Sequence, residues 1–470
     1  MQELEQEDRL SDLPGDILTF ILERLKLHEA ARTSVLSRRW RHLFGQRSSI
    51  RLDIGAFRRK QKGSELTRDD LAKSNASLNQ ATRSMLSHTN QHPIKLLRIR
   101  FHLMEESTEV VRCVENAMAN RQITTLQFLM YPEIVVEDCT EEDKIIYGRR
   151  FMKFFGAAPR ALGGLSYLHV QGLGLSIDDM TNVLNACINL EHLYLKMCDY
   201  GYLSLLEIEH PRLTTLAFSY CKLATFQLKC VPRLTRLTCE VWTAPRNLYP
   251  VSFGYVPQLS TLILKNPGTT IHKKIQLSEF LNNARICALD LDFVSQKIWI
   301  QPEPSNLVGP SLQNLQFLCL RHIHGECELD RTMFFLEGAP LLKKIDIEVW
   351  DHTCWGDEKE LTKEFMEKRE ILYQKKSDLS CETPDAVKHY SLKQLTIKGY
   401  QIEEKFTRYI KRVMEAAVNL ELIILLDSGQ CECCKFSPAT RYPRTEEERI
   451  LIKKQILEWA CSPIKIGIGA

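Results

Sequence analysis

Two groups of residues in this 470-residue chain carry side chains suited to metal or thiol chemistry. The first is "CECC", with Cys431, Cys433 and Cys434. Its thiolates could hold zinc or cycle with a disulfide. A structural zinc site needs a second C-x-x-C or C-x-x-H pair at short spacing, and none follows. The stretch therefore reads as loop cysteines. The second, "HIHGEC", offers His322, His324 and Cys327 and reads as a loop after a strand. There is no Gly-rich phosphate loop, H-E-x-x-H or G-x-S-x-G. Isolated Ser, His and Asp residues define no triad. The expectation is a chain with no catalytic residues, no bound metal and no cofactor.

Composition narrows the remaining classes. The net charge of +3 makes no overall case for nucleic acid or an anionic membrane. The 44% apolar content is that of a soluble globular protein. No apolar run is long enough for a membrane span. The acidic start "MQELEQEDRL" lacks the apolar stretch of a secretory signal. Sixteen cysteines scattered without an export signal predict reduced thiols, hence the cytoplasm and/or the nucleus. The tract Arg32–Lys62 is strongly basic. Within it "RRKQK" (Arg58–Lys62) reads as a solvated linker, with a nuclear import signal as the alternative. A nucleic-acid role is disfavoured, because no aromatic stacking platform is interleaved with these charges.

The elements that would position any functional residue come from a repeat. The pattern L-x-x-L-x-L, with Ile, Val, Phe or Cys substituting, begins near Ile94, Ile123, Leu165, Leu190, Leu213 and Leu234. It continues near Leu259, Ile286, Leu315, Leu342, Leu392 and Leu420. Most steps are 21 to 29 residues; the exceptions are 42 after Ile123 and 50 after Leu342. "LTTLAFSYCKL" (Leu213–Leu223) matches the longer leucine-rich-repeat consensus, with Cys221 at its ladder position and Cys198 equivalent one repeat earlier. A single unit cannot bury its leucines, so units stack and cover one another. The predicted fold is α/β: a leucine-rich-repeat solenoid with a curved parallel sheet and helical or irregular return segments.

The long step after Leu342 contains Asp357–Lys376, with 12 charged residues in 20, predicted to be an exposed helix or excursion that buries little. Beyond it, Leu392 onward reads as strand, amphipathic helix, strand. "RTEEERILIKKQILEWA" then begins a helix through the capping-box spacing of Thr445 and Glu448, and that helix is expected to cap the stack.

At the other end, "RLSDLPGDILTFILERLKLHEAARTSVLSRRWRHLF" (Arg9–Phe44) predicts three short helices. Pro14 suits a helix start. Ile17, Leu18, Ile21, Leu22 and Leu25 form an apolar stripe, and Val35, Leu36, Trp40 and Leu43 follow. That is more apolar surface than so short a segment can bury alone. The motifs "DLPGDILTFIL" and "AARTSVLSRRWRHLF", at this separation, resemble the F-box family. The order of F-box, irregular repeats and strand–helix–strand end resembles plant F-box/leucine-rich-repeat proteins with a C-terminal FBD-like region.

The resemblance implies a substrate-recognition subunit of a Skp-cullin-F-box ubiquitin ligase. The F-box would dock a Skp-type adaptor, and through it cullin and RING subunits, while the solenoid binds a protein substrate. Carried over by position, the adaptor contacts are Leu13, Pro14, Ile17, Leu18, Ile21, Leu22, Val35, Leu36 and Trp40. The alternative is a leucine-rich-repeat scaffold whose F-box-like helices only cap the solenoid. The implied domains are the F-box at 1–50 (core 9–44), a basic linker and helical segment at 51–92, and repeats at 93–350. A charged insert at 351–389 and terminal repeats with the FBD-like region and capping helix at 390–470 complete the chain. Non-core strand positions are the expected substrate surface: His169, Tyr194, Lys196, Arg236, Glu240, Lys265, Asp290, Asp292, Arg321, Asp346 and Glu348.

Overall fold

Alternation of apolar and polar residues turns the repeat positions into strands. In the computed structural model, each of the twelve repeat starts begins a strand within two residues. The structure describes residues 13–58, 67–87, 92–242, 248–266, 275–282, 284–296, 298–350, 352, 388–431, 441–459 and 463–469. The insert at 357–376 lies outside them, as do Lys60, Lys62, Cys433 and Cys434.

Two compact units divide the chain, one formed by 1–204 with 209–215 and the other by 205–208 with 216–470. The first contains α1 (Gly15–Arg24), α2 (Leu27–Thr33), α3 (Arg38–Gly45), β1 (Ser49–Asp53), α4 (Arg68–Met85), β2 (Ile94–His102), α5 (Thr108–Asn120) and β3 (Ile123–Tyr131). It continues with α6 (Glu141–Ala157), α7 (Pro159–Gly163), β4 (Leu165–Gln171), α8 (Ile177–Ala186) and β5 (His192–Lys196). Its sheet runs β1-β2-β3-β4-β5, all parallel. β1 lies in the tract read as a basic linker; the alternation Ile50, Leu52 inward and Arg51 outward explains why it pairs with β2. The long step after Ile123 is filled by α6 and α7.

The second unit holds β6 (Leu205–Glu209, all but its last residue), β7 (Thr215–Ser219, all but its first), β8 (Thr225–Cys230), β9 (Arg236–Glu240), β10 (Val251–Tyr255) and β11 (Thr261–Lys265). After these come α9 (Leu277–Phe280), β12 (Ala288–Gln296), α10 (Ser305–Leu312), β13 (Phe317–Ile323), α11 (Phe334–Gly338) and β14 (Lys344–Val349). The last elements are β15 (Gln394–Lys398), α12 (Glu404–Ala416), β16 (Leu422–Leu426), α13 (Glu446–Leu457) and β17 (Lys465–Gly469). The main sheet of this unit runs β7-β9-β11-β12-β13-β14-β15-β16-β17.

Two features depart from the repeat reading. The return segments around β7, β9 and β11 are strands, β6, β8 and β10, which form a second sheet. "LLEIE", "TFQLKC" and "VSFGY" are too short for a helix to gain from and alternate in burial. At the C-terminal end β17 pairs in register with β16, so a strand rather than α13 is the last member of that sheet. The α13 start itself has the expected capping box, with Thr445 Oγ1 accepting from Glu448 N at 3.2 Å.

Return segments bury their apolar faces against the sheets: Val110, Val111 and Val114 in α5, and Phe406, Tyr409, Ile410 and Val413 in α12. Cys198 and Cys221 are buried where the strands turn away, each just after a residue at positive φ, Met197 (53°) and Tyr220 (53°). Successive repeats are also stapled by two buried histidines. His210 meets the Cys187 carbonyl through Nε2 at 3.0 Å, while its Nδ1 accepts from Leu213 N at 3.1 Å. His389 repeats the arrangement with the Ala339 carbonyl at 2.9 Å and Leu392 N at 3.1 Å. Both therefore precede a repeat leucine in H-x-x-L, and both are neutral: burial, the largest influence, lowers their pKa.

Candidate functional site

α1 carries two stripes at helical spacing. Leu18, Leu22 and Leu25 point one way; Ile17, Phe20, Ile21 and Arg24 point the other. The first stripe closes a small core with Ala30 and Trp40, against which Leu13, Leu43 and Phe44 also pack. Ser37 caps α3 by accepting from Trp40 N at 3.3 Å, which sets the indole into that core. Arg39 Nη2 ties α3 to the Leu13 carbonyl at 2.8 Å, and buried Arg47 reaches the Leu25 carbonyl at 3.2 Å.

Burial divides the set carried over from the sequence. Leu18, Leu22 and Trp40 are at most 3% exposed and lie in that core. Their burial makes them supports for the face above them. Val35 (79% exposed), Leu36 (65%) and Ile17 (43%) are open, Pro14 is exposed, and Leu13 and Ile21 are half-buried. Phe20, 55% exposed with the Arg24 guanidinium 4.3 Å from its ring centre, lies on the same stripe of α1 as Ile17 and is absent from the set carried over from the sequence. Its position three residues after Ile17 was the available signal.

The outward strand positions form the second candidate surface. In the second unit they are largely paired with one another. Lys265 of β11 lies 3.9 Å from Asp292 of β12, and Asp292 meets His322 of β13 at 2.9 Å. His322 also lies 3.7 Å from Glu348 of β14, which pairs with Lys398 of β15 at 2.6 Å. This chain of alternating charge crosses five adjacent strands. Beside it Arg321 meets Asp290 at 3.0 Å, and Lys344 meets Asp346 at 2.8 Å. Lys265, Asp290, Asp292, Arg321, Asp346 and Glu348, named above as substrate-surface positions, are thus engaged with one another or with neighbours in the sheet. Glu240 accepts from Ser219 Oγ at 2.9 Å, while Arg236 stays exposed.

Electrostatics follow this pairing. Burial alone would lower the His322 pKa, but the hydrogen bond to Asp292 and the charges of Asp292 and Glu348 raise it overall. Burial would raise Asp292, yet His322, the Val294 N–H and Lys265 together lower it. His322 stands at φ 49°, a left-handed conformation that places its ring between strands.

In the first unit the outward positions include Arg51, Arg98 and Arg100 together with a group of aromatic rings. Tyr131, His169 and Tyr194 stack across β3, β4 and β5, with ring centres 5.4 Å and 6.0 Å apart, and Tyr167 lies 5.1 Å from Tyr194. Arg100 lies 4.5 Å from the centre of the Tyr131 ring. Lys196 pairs with Glu137 at 3.0 Å.

Among the described residues, no group of three or more His, Cys, Asp or Glu could hold a metal ion; Cys433 and Cys434 of the first cysteine motif lie outside them. Cys431 is buried, and His324 accepts from Glu326 N at 3.2 Å in a local turn. Among the described residues no helix is long and apolar enough to cross a membrane.

Comparison with known proteins finds a family match for the helical segment. The family described as F-box domain matches residues 10–51, which span the three helices and the start of β1. A meiotic F-box protein of rice, Oryza sativa subsp. japonica, is 28% identical over 249 residues, 52% of this chain and 46% of that protein. An F-box/LRR-repeat protein of Arabidopsis thaliana is 27% identical over 144 residues, 31% of this chain and 29% of that protein. An FBD-associated F-box protein of the same plant is 46% identical over 56 residues, 12% of this chain and 14% of that protein. The chain spans less than half the length of these curated relatives.

Proposed function

From an F-box at residues 10–51 followed by repeat-built parallel sheets, as in relatives named F-box/LRR-repeat and FBD-associated F-box proteins of plants, we propose a substrate-recognition subunit of a Skp-cullin-F-box ubiquitin ligase. The observation that carries this is the exposure of four apolar side chains, Ile17 and Phe20 of α1 and Val35 and Leu36 before α3, around a core the three helices complete themselves. Burying one such side chain contributes roughly 1.5–3 kcal/mol. Several together can outweigh the cost of association where the partner surface is complementary. On this reading a Skp-type adaptor covers those side chains together with Leu13, Pro14 and Ile21, and cullin and RING subunits follow through the adaptor. The chain performs no catalysis, works in the cytoplasm and/or nucleus, and binds a protein substrate on its strand faces.

The test is capture of purified Skp-type adaptor by the full chain. Wild type should retain it, and Ile17→Asp combined with Leu36→Asp should abolish capture without lowering the melting temperature. Retention by that double variant overturns the reading. The second reading, in which the helices serve only as a cap, predicts no capture by wild type and collapse of the remainder when residues 1–48 are deleted.

A further inference from the structure

The outward face of β1–β5 differs in charge from the strand face of the second unit, and that difference points to a ligand. Register aligns Arg51, Arg98, Gln127, Tyr167 and His192 in one row across five strands. The next row is Asp53, Arg100, Leu129, His169 and Tyr194. Arg100 has a partner in Asp53 at 3.5 Å. Arg51 and Arg98, exposed and directly opposite one another, have no ion pair among the described residues. Like charges opposed across a strand pair destabilise a sheet, and among the described residues no ion pair offsets this one. His169 senses the same field: burial first, then Lys196, Arg100 and Arg98, push its pKa down to about 4.

The aromatic rings narrow the choice of ligand. Tyr131, His169 and Tyr194 lie ring to ring along the sheet, so much of their flat surface is taken up by each other. A nucleic-acid platform needs free ring faces on which bases stack. Here the rings instead line up phenol hydroxyls, and those of Tyr131, Tyr167 and Tyr194 have no protein hydrogen-bond partner among the described residues. Hydroxyl donors beside planar guanidinium forks suit carboxylate oxygens along an extended chain.

We propose that the outward face of β1–β5 is the substrate-reading surface and that it takes an acidic, aspartate- and glutamate-containing peptide segment of the substrate protein. Arg51 and Arg98 pair with its carboxylates, and the hydroxyls of Tyr167 and Tyr194 donate to neighbouring oxygens. The proposal rests on the receptor reading above and assigns the substrate class within it.

The experiment uses the full chain and fluorescence anisotropy with a labelled alternating glutamate–tyrosine decapeptide. A lysine–tyrosine decapeptide and a single-stranded RNA decamer are the comparison probes. The acidic peptide should bind, and the basic peptide should not. Arg51→Gln with Arg98→Gln should weaken binding by roughly tenfold to a hundredfold, the worth of charge-assisted hydrogen bonds. Lys388→Gln with Lys393→Gln, the same loss of two positive charges far along the chain, should leave it unchanged, and the double arginine variant should melt no lower than wild type. Absence of binding, an affinity unaffected by the double arginine variant, or tighter binding of the RNA would each overturn the proposal. Adaptor capture measured on the same preparations separates the two ideas. A chain that captures adaptor but ignores the peptide loses only this assignment; one that binds peptide without adaptor loses only the ligase reading.

Discussion

His322 Nδ1 stands 2.9 Å from Asp292 Oδ1, across the β12–β13 strand pair, at the centre of the charge chain from Lys265 to Lys398. The two groups hold each other's charge. The pKa of His322 is raised and that of Asp292 lowered, so both are ionised together over a wide acidic range.

That pairing gives a pH signature. A histidine raised above its unfolded value stabilises fully below about pH 6.5, and the contribution fades as pH rises through the folded pKa. Asp292, being lowered, contributes above about pH 4 and loses that contribution as pH falls further. The stability advantage of wild type over His322→Gln should therefore be greatest between these limits and smaller at pH 8. Thermal melts across that range check it; an advantage that grows toward pH 8 would mean the pair is not charged.

His210 and His389 should show the opposite sign. Both are buried and neutral, with pKa values lowered from the ordinary one. Their contribution is complete above about pH 6.5 and is lost as pH falls through the folded pKa. His210→Ala and His389→Ala each leave a repeat-start amide, Leu213 N or Leu392 N, without its acceptor, at a cost of about 1–3 kcal/mol per variant, while the Cys187 and Ala339 carbonyls keep the Leu190 and Leu342 amides. Urea titration at pH 7.5 measures this; a loss much below that range would mean that water replaces the imidazole without penalty.

Within α1, neighbouring residues should separate folding from binding. Leu22→Ala removes a fully buried side chain and should cost about 2–5 kcal/mol in the helical core. Ile17→Ala, one face away, should change stability by less than about 0.5 kcal/mol while weakening adaptor capture. Equal melting temperatures for the two variants would show that the stripes are not distinct.

Gly148 marks a backbone crossing. A Cβ there would stand 1.9 Å from the Gly174 carbonyl oxygen, where Gly174 N donates to the Lys144 carbonyl at 2.7 Å. Gly148→Ala must push α6 away from the loop after β4, and should cost about 1–3 kcal/mol as an overpacked site. A circular-dichroism melt unchanged from wild type would show that α6 shifts freely.

The repeat phase was open to reading because burial alternates with strict period two, so leucines at fixed offsets can point to one side only. From Ile94 to Leu420 each repeat start therefore matches a strand. Helix starts were similarly legible where a hydroxyl and a carboxylate stand three apart, as at Thr445 and Glu448. The F-box stretch was identified by its motif alone, and the family match over 10–51 agrees.

Other features depended on elements distant in sequence. Leu18 and Ile17 are chemically alike and adjacent, and only the arrival of Trp40 from α3 buries one and leaves the other open. Asp292 reads as a solvated charge until strand register brings His322 beside it, thirty residues later. Composition likewise shows arginines balanced by acids along the chain, but does not show that Arg51 and Arg98 face each other on adjacent strands. Periodicity is a local property, so the sequence determines which side of an element a residue occupies. What waits on that side is set by register and packing between distant segments, and only the tertiary structure decides it.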